Sequence, residues 1–313
     1  MGDNNTDVSI YERSTLVQLY ISVLTILVVG MFLFFVFVAA GMIFFGIDIS
    51  KIGDIYSNHG ESNIAFLRYL LITQQISFFI IPSVILFRIL KPSCNSFFMD
   101  FKTPERTEIV LVVILVICIF PVTYFTGQIN SGMHLPDWLS GIEKWMLEKE
   151  NDANGLIESI ISSDSFWILL LNILIIAVLP AIGEELIFRG IFQKIFYKLF
   201  KSDHLAIWFT AFLFSTLHLQ FYGFLPRLIL GLVFGYLFYF SGNLWLPMLA
   251  HFLNNAVPTI ASYFQRADKA DMFENISLWK QLLGLLLPII VIIIIFNYFR
   301  EKVGKGVLTG KKK

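Results

Sequence analysis

Three short stretches hold the residues whose types and spacing can do chemistry. GEELIFRG (183–190) places Glu184, Glu185 and Arg189 inside an otherwise apolar run, FSTLH (214–218) carries Phe214 and His218, and HFLNN (251–255) carries His251 and Asn255. On a helix Glu185 and Arg189 are four apart, so they pair on one face and lower each other's desolvation cost. Glu184 points about 100° away and has no cation at helical spacing. A carboxylate in hydrocarbon costs about 2.5–3.5 kcal/mol on insertion scales, so such a group faces a cavity or another polar side chain. Taken alone, the octapeptide also fits a buried pair that only holds helices together. Two histidines in apolar surroundings, an Asn one turn beyond the second, and an unpaired Glu need a common explanation.

Two chemistries suit this set. In the first, Glu184 takes a proton from a water held between it and His218, while His251 and Asn255 stabilise a developing oxyanion. In the second, Glu184, His218 and His251 form a two-histidine, one-carboxylate set that binds catalytic zinc with an open fourth position; Glu185 would then be the base, were it not committed to Arg189. The cofactor is therefore none or zinc. No HExxH pair is present, and the metal-free mechanism is favoured.

The elements that must position these residues are membrane helices. With a mean hydropathy of +0.74, 33 Phe and 15% charged residues, the 313-residue chain has more apolar surface than one soluble core can bury. Residues 14–47 contain no Asp, Glu, Lys or Arg and are too long for a signal-peptide apolar region. Further apolar runs cover about 64–87, 107–127, 166–200, 204–221, 225–241, 244–262 and 278–298. The expected fold is all-α, a polytopic membrane helix bundle of about eight transmembrane helices.

Lys and Arg number four in 88–106, four in 189–203 and six in 300–313, whereas 128–165 has two against seven acidic residues. Those counts predict cytoplasmic basic loops and a cytoplasmic C-terminus. The outer loop contains PDWLSGIEKWMLEKENDA, in which Asp137 can cap an amphipathic helix near 137–148, with Trp138, Leu139, Ile142, Trp145 and Met146 on its apolar face. Cys94 and Cys118 fall in a cytoplasmic loop and a span, so no disulfide is expected. MGDNNT fits a myristoylation pattern at Gly2, but a polytopic chain needs no lipid anchor.

Relative depth follows from helix rise. Glu184 lies 17 residues before Lys201 and His218 lies 17 after it; if the polar turn there joins antiparallel helices, both are ~25 Å from it and meet at one level. His251 is nine residues past Gly242, so the Ser241–Asn243 turn must be recessed for His251 to join them. Gly231 and Gly235 would let their helix approach a neighbour closely.

The ordered motifs EExxxR, FxxxH and HxxxN, at Glu184/Glu185/Arg189, Phe214/His218 and His251/Asn255, resemble those of the CPBP family of intramembrane endopeptidases. This family is also called the CAAX protease and bacteriocin-processing or Abi family, and it includes the type II CAAX prenyl endopeptidases. The resemblance covers about 180–260. It implies peptide-bond hydrolysis within the membrane, with Glu184, His218, His251 and Asn255 catalytic and Glu185, Arg189 and Phe214 supporting. Together with the apolar runs and loop charges, the expected organisation is N-terminal transmembrane helices over 1–160 with the outer amphipathic helix near 137–148, a catalytic membrane core over 161–265, and a last span with a basic cytoplasmic tail over 266–313, in one structural domain. The expected partners are a membrane-associated or CAAX-like peptide or protein substrate and the lipid bilayer, with no nucleic acid. The expected location is a bacterial plasma membrane. A non-catalytic bacteriocin-immunity or scaffold protein on the same fold remains an alternative; a transporter is disfavoured because residues 1–160 hold no inverted repeat of the polar half.

Overall fold

The computed structural model describes residues 14–48, 61–90, 101–162, 165–264 and 278–303. The pattern at Gly2, Cys94 and the basic tail past residue 303 lie outside them. Among the described residues there are nine helices and no strand. The spans are α1 (Thr15–Phe45), α2 (Glu61–Gln75, a π turn at Ile76–Ile80, then Ile81–Ile89), α3 (Arg106–Ser131) and, after the interfacial helix α4 (Ser140–Ile161), α5 (Phe166–Phe200). They continue with α6 (Asp203–Leu217), α7 (Phe224–Ser241), α8 (Trp245–Phe264) and α9 (Leu278–Val303).

The protein is a polytopic helical bundle, but the expected eight spans divide unequally. Among the described residues, six helices are long and apolar enough to cross a membrane. The other two, α6 and α8, carry His218 and His251. α6 is only 15 residues long, and α8 has 20 residues interrupted by His251, Asn254, Asn255, Pro247 and Pro258. Polar side chains that do chemistry lower the hydropathy of the helix bearing them, so a count by apolarity misses α8.

The outer surface is apolar, with Phe32, Phe35, Ile43, Leu283, Leu287 and Ile294 exposed on α1 and α9. Lipid tails are as apolar as these side chains, so helix association rests on close packing and internal polar bonds rather than on hydrophobic burial. One apolar core joins α3 (Val112, Leu115, Ile119) to α7 (Phe234, Leu237), α8 (Leu246, Ala250) and α9 (Ile295, Phe299). A second joins α5 (Ile187, Phe188, Ile191, Phe192) to Leu86 of α2 and Phe214 of α6. The polar site lies between the two.

Three features set the phase of the site helices. A polar turn at Lys201–Ser202 reverses the chain: Lys201 adopts φ 53° as the C-cap of α5, and the Ser202 side chain accepts from Leu205 N to start α6. α6 then packs antiparallel to α7, where a Cβ on Gly231 would lie 3.0 Å from Ala211 Cα and one on Gly235 2.9 Å from Ile207 Cγ2. Both glycines thus permit the close approach expected of them. The Ser241–Asn243 turn, closed by Gly242 at φ 60°, is buried, and Asn243 Nδ2 donates to Lys102 O at 2.8 Å. The turn is therefore covered by the segment before α3.

Prolines supply the remaining offsets. Pro180 has no N–H to give the carbonyl of residue 176, and the preceding turn of α5 widens to a π turn over Leu174–Val178. Pro82 follows the π turn of α2 in the same way. A third π turn, Phe188–Phe192, contains Arg189.

The interfacial helix differs from its expectation. It extends to Ile161, and Asp137 opens a short 3₁₀ turn (Asp137–Leu139) without capping a helix by its side chain. α4 lies over the α6–α7 connection, with Trp145 against Phe221 at 5.5 Å between ring centroids and Glu150 accepting from Tyr222 N at 3.3 Å. Its last turn is held by Arg68 of α2, which donates to Ile160 O at 2.6 Å and to Asn172 Oδ1 at 3.1 Å.

Candidate active site

The pair expected inside GEELIFRG forms: Arg189 donates to Glu185 Oε1 at 2.8 Å, and both side chains are fully buried. Arg189 also donates to Gly231 O of α7 at 3.0 Å, and Gln193, one turn on, donates to Gly235 O at 3.1 Å. The two glycines that admit α6 thus also bare carbonyls to α5. The guanidinium sits among the rings of Phe188, Phe214 and Phe234, 5.9, 5.1 and 5.6 Å from their centroids. Ring faces are negative, so this aromatic cage offsets part of the cost of burying the cation. Phe214 is therefore a wall of the Arg189 chamber as well as a motif residue.

His251 joins this pair. Its Nδ1 is 2.9 Å from Glu185 Oε1, and its ring stacks on Phe234 at 5.1 Å and 21°. A carboxylate only accepts, so Nδ1 carries a proton, and in the neutral form of the ring Nε2 holds a lone pair. That Nε2 is 3.9 Å from Glu184 Oε2. The other Glu184 oxygen accepts from Gln75 Nε2 of α2 at 3.3 Å, leaving Oε2 with no hydrogen-bond partner among the described residues. Gly183 allows this contact, because a Cβ there would lie 2.8 Å from Phe79 Cβ and 3.4 Å from Gln75 Oε1.

His218 ends α6. Its Nδ1 donates to Phe214 O at 2.7 Å, which likewise leaves Nε2 as an acceptor. Its ring centroid is 4.8 Å from that of Phe214, and Phe214 is 6.0 Å from the His251 ring, so one phenyl lies against both imidazoles. Glu184 and His251 both act electrostatically on His218. The structure thus brings Glu184, His218 and His251 to one locality at the meeting of α5, α6 and α8.

Asn255 is used differently from its expected place. Its Nδ2 donates to Ile176 O at 3.1 Å, the carbonyl that Pro180 cannot serve, and its Oδ1 accepts from Asn254 at 3.2 Å. Among the described residues, no group of three His, Cys, Asp or Glu side chains is placed to hold a metal ion. Ligand atoms on a tetrahedral zinc with bonds of ~2.0–2.1 Å lie about 3.4 Å apart; Glu184 Oε2 and His251 Nε2 are 3.9 Å apart, and the bond from His251 Nδ1 to Glu185 leaves Nε2 as the ring atom that would hold a metal.

Three polar residues at the site were not singled out from sequence. Gln75 sits beside Gln74 in the middle of an apolar span, a visible anomaly. Gln193 repeats at four residues from Arg189 as Gly235 does from Gly231, so a shared period pointed to that ladder. Arg227 follows Pro226 at the start of α7, within electrostatic reach of Glu184 and His218.

Comparison with known proteins bears on the same region. The chain is 28% identical over 136 residues to the uncharacterized protein YpbD of Bacillus subtilis (strain 168), a match covering 42% of this chain and 65% of that relative's length. No solved structure matches. Residues 166–257, the stretch holding every motif residue of the site, match the family model of the type II CAAX prenyl endopeptidase Rce1-like proteins.

Proposed function

We propose that this membrane protein is an intramembrane endopeptidase that hydrolyses a peptide bond of a membrane-associated or CAAX-like peptide with a Glu/His-activated water. The observation that carries the reading is the pair of facing acceptors, Glu184 Oε2 and neutral His251 Nε2, 3.9 Å apart. A water ~2.8 Å from each donates both of its hydrogens to them, so its oxygen lone pairs point outward at a substrate carbonyl. Glu184 takes one proton as the oxygen attacks the carbonyl carbon. The C–N bond then breaks, and that proton returns to the leaving amine, directly or through His218.

The remaining residues hold this arrangement. Gln75 fixes one Glu184 oxygen so that the other faces the water. Glu185 sets the tautomer and orientation of His251, and Arg189 neutralises Glu185. His251 on this reading orients the water, a change from the oxyanion role expected of it, and Asn255 supports α5.

Purified protein in detergent should cleave members of a pool of apolar peptides, and Glu184→Gln should abolish most of that activity. No cleavage of any peptide, with a folded protein, returns the chain to a non-catalytic role. Activity should survive a chelator; loss on chelation and recovery with zinc would replace the metal-free scheme.

A further inference from the structure

The site holds a cation that its internal bonding leaves without a counter-charge. Arg227 stands in the first turn of α7, where the helix macrodipole disfavours positive charge. It is partly buried, yet it has no ion pair among the described residues. Its NH1 and NH2 donate to Gln220 O and Gln220 Oε1 at 3.0 and 2.6 Å, both neutral acceptors. The guanidinium is accommodated by Gly223, where a Cβ would collide with it. The acids nearest in electrostatic terms are Glu150 of α4 and Glu184 of the site, neither in contact with it.

Its position follows from the helix contacts. Arg227, Gly231 and Phe234 are spaced i, i+4 and i+7, on the face of α7 that touches Arg189 through Gly231 O and His251 through Phe234. Arg227 therefore stands one turn, about 6 Å, beyond the Arg189 chamber on the side of the α6–α7 connection. In the register set by Gly231 against Ala211, its level on α6 is that of Ser215, less than a turn from His218. A guanidinium has five N–H donors, and two are used by Gln220.

Resting on the endopeptidase reading, we propose that Arg227 is a specificity-determining residue that takes a carboxylate of the substrate beside the scissile bond, supplied by a free C-terminus or an acidic side chain. Gln220 keeps the fork in place and neutral acceptors leave its charge available. An arriving carboxylate supplies the anion that α7 lacks at this end.

The test uses a dye-labelled pool of apolar heptapeptides in three forms: C-terminal acid, C-terminal amide, and amide with one internal Asp. Binding is measured on Glu184→Gln protein in detergent, so that turnover is not needed, and cleavage is measured on the otherwise native chain. The acid or the Asp form should bind roughly 10- to 100-fold more tightly than the plain amide, the worth of a charged hydrogen-bonded contact. Which of the two does so identifies the source of the carboxylate. Arg227→Gln should erase that ratio while leaving plain-amide binding unchanged, and Arg227→Lys should keep part of it. A ratio near one in the Arg227-containing protein overturns the proposal, as does an equal loss for charged and neutral peptides in both Arg227 variants, which would make Arg227 a brace for the His218 turn. If the native chain cleaves nothing, the hydrolase reading falls, while the binding ratio still decides Arg227.

Discussion

Adjacent in sequence, Glu184 and Glu185 have unlike surroundings, and their variants should fail unlike each other. Glu184 has one oxygen held by Gln75 and one facing His251, and no cation in contact. Glu184→Gln keeps size and hydrogen bonding while removing the base, so the protein should extract and melt normally while hydrolysis falls by roughly 10² to 10⁴. Glu185 is the shared acceptor of Arg189 and His251. Glu185→Gln leaves Arg189 charged among three phenyl rings, a penalty of about 3–5 kcal/mol for broken buried pairs. Its melting temperature and yield should drop, and neutralising Arg189 as well should restore part of both. An early-melting Glu184→Gln beside a stable but inactive Glu185→Gln would reverse the two assignments.

At the scale of elements, the site depends on how closely α7 meets α5 and α6. A methyl at Gly231 would press on the Ala211 backbone, which cannot swing aside, so α7 would have to shift and carry with it the Gly231 carbonyl that Arg189 uses. At Gly235 the obstacles are side-chain atoms, Ile207 Cγ2 at 2.9 Å and Gln193 Oε1 at 3.1 Å, with no backbone atom as close. Gly231→Ala should therefore cost about 1–3 kcal/mol, the range for overpacking, and impair activity, and Gly235→Ala should cost less; equal melting temperatures would show that the helices separate freely. The π turn before Pro180 yields a second case. Asn255→Ala removes the donor to Ile176 O, a half-buried hydrogen bond worth about 0.5–1.5 kcal/mol. Its main effect should be a lower melting temperature. A pure rate defect with unchanged melting would instead place Asn255 at the oxyanion.

For the molecule as a whole, the basic connections and the α4 side lie at opposite ends of α6, with Lys201 before it and the α6–α7 connection under α4 after it. If the loop charges orient the chain, α4 and the mouth of the site lie outside the cytoplasm. In a background lacking Cys94 and Cys118, Glu148→Cys should react with an impermeant maleimide on intact cells, and Lys201→Cys should react only after permeabilisation. Both positions are solvent-exposed, so burial does not confound the comparison. The reverse pattern would invert the topology and put the site's mouth in the cytoplasm.

How much of this was legible in sequence depends on the range of each contact. The Glu185–Arg189 pair, the helical bundle and the level shared by Glu184 and His218 follow from helical rise and the i, i+4 rule, which hold wherever a helix forms. The close approach at Gly231 and Gly235 follows from absent side chains. The partner of Glu184, 109 residues earlier in the chain, does not, nor does the capture of His251 by Glu185 or of Ile176 O by Asn255. Those contacts depend on how far each helix is rotated and slid against its neighbour. π turns alter that phase by a fraction of a turn, enough to exchange one facing residue for the next. The sequence by itself thus determined which chemical groups enter the membrane core and on which helices; only the tertiary structure decided which of them face one another, because helix phase is set by packing against other segments and not by local spacing.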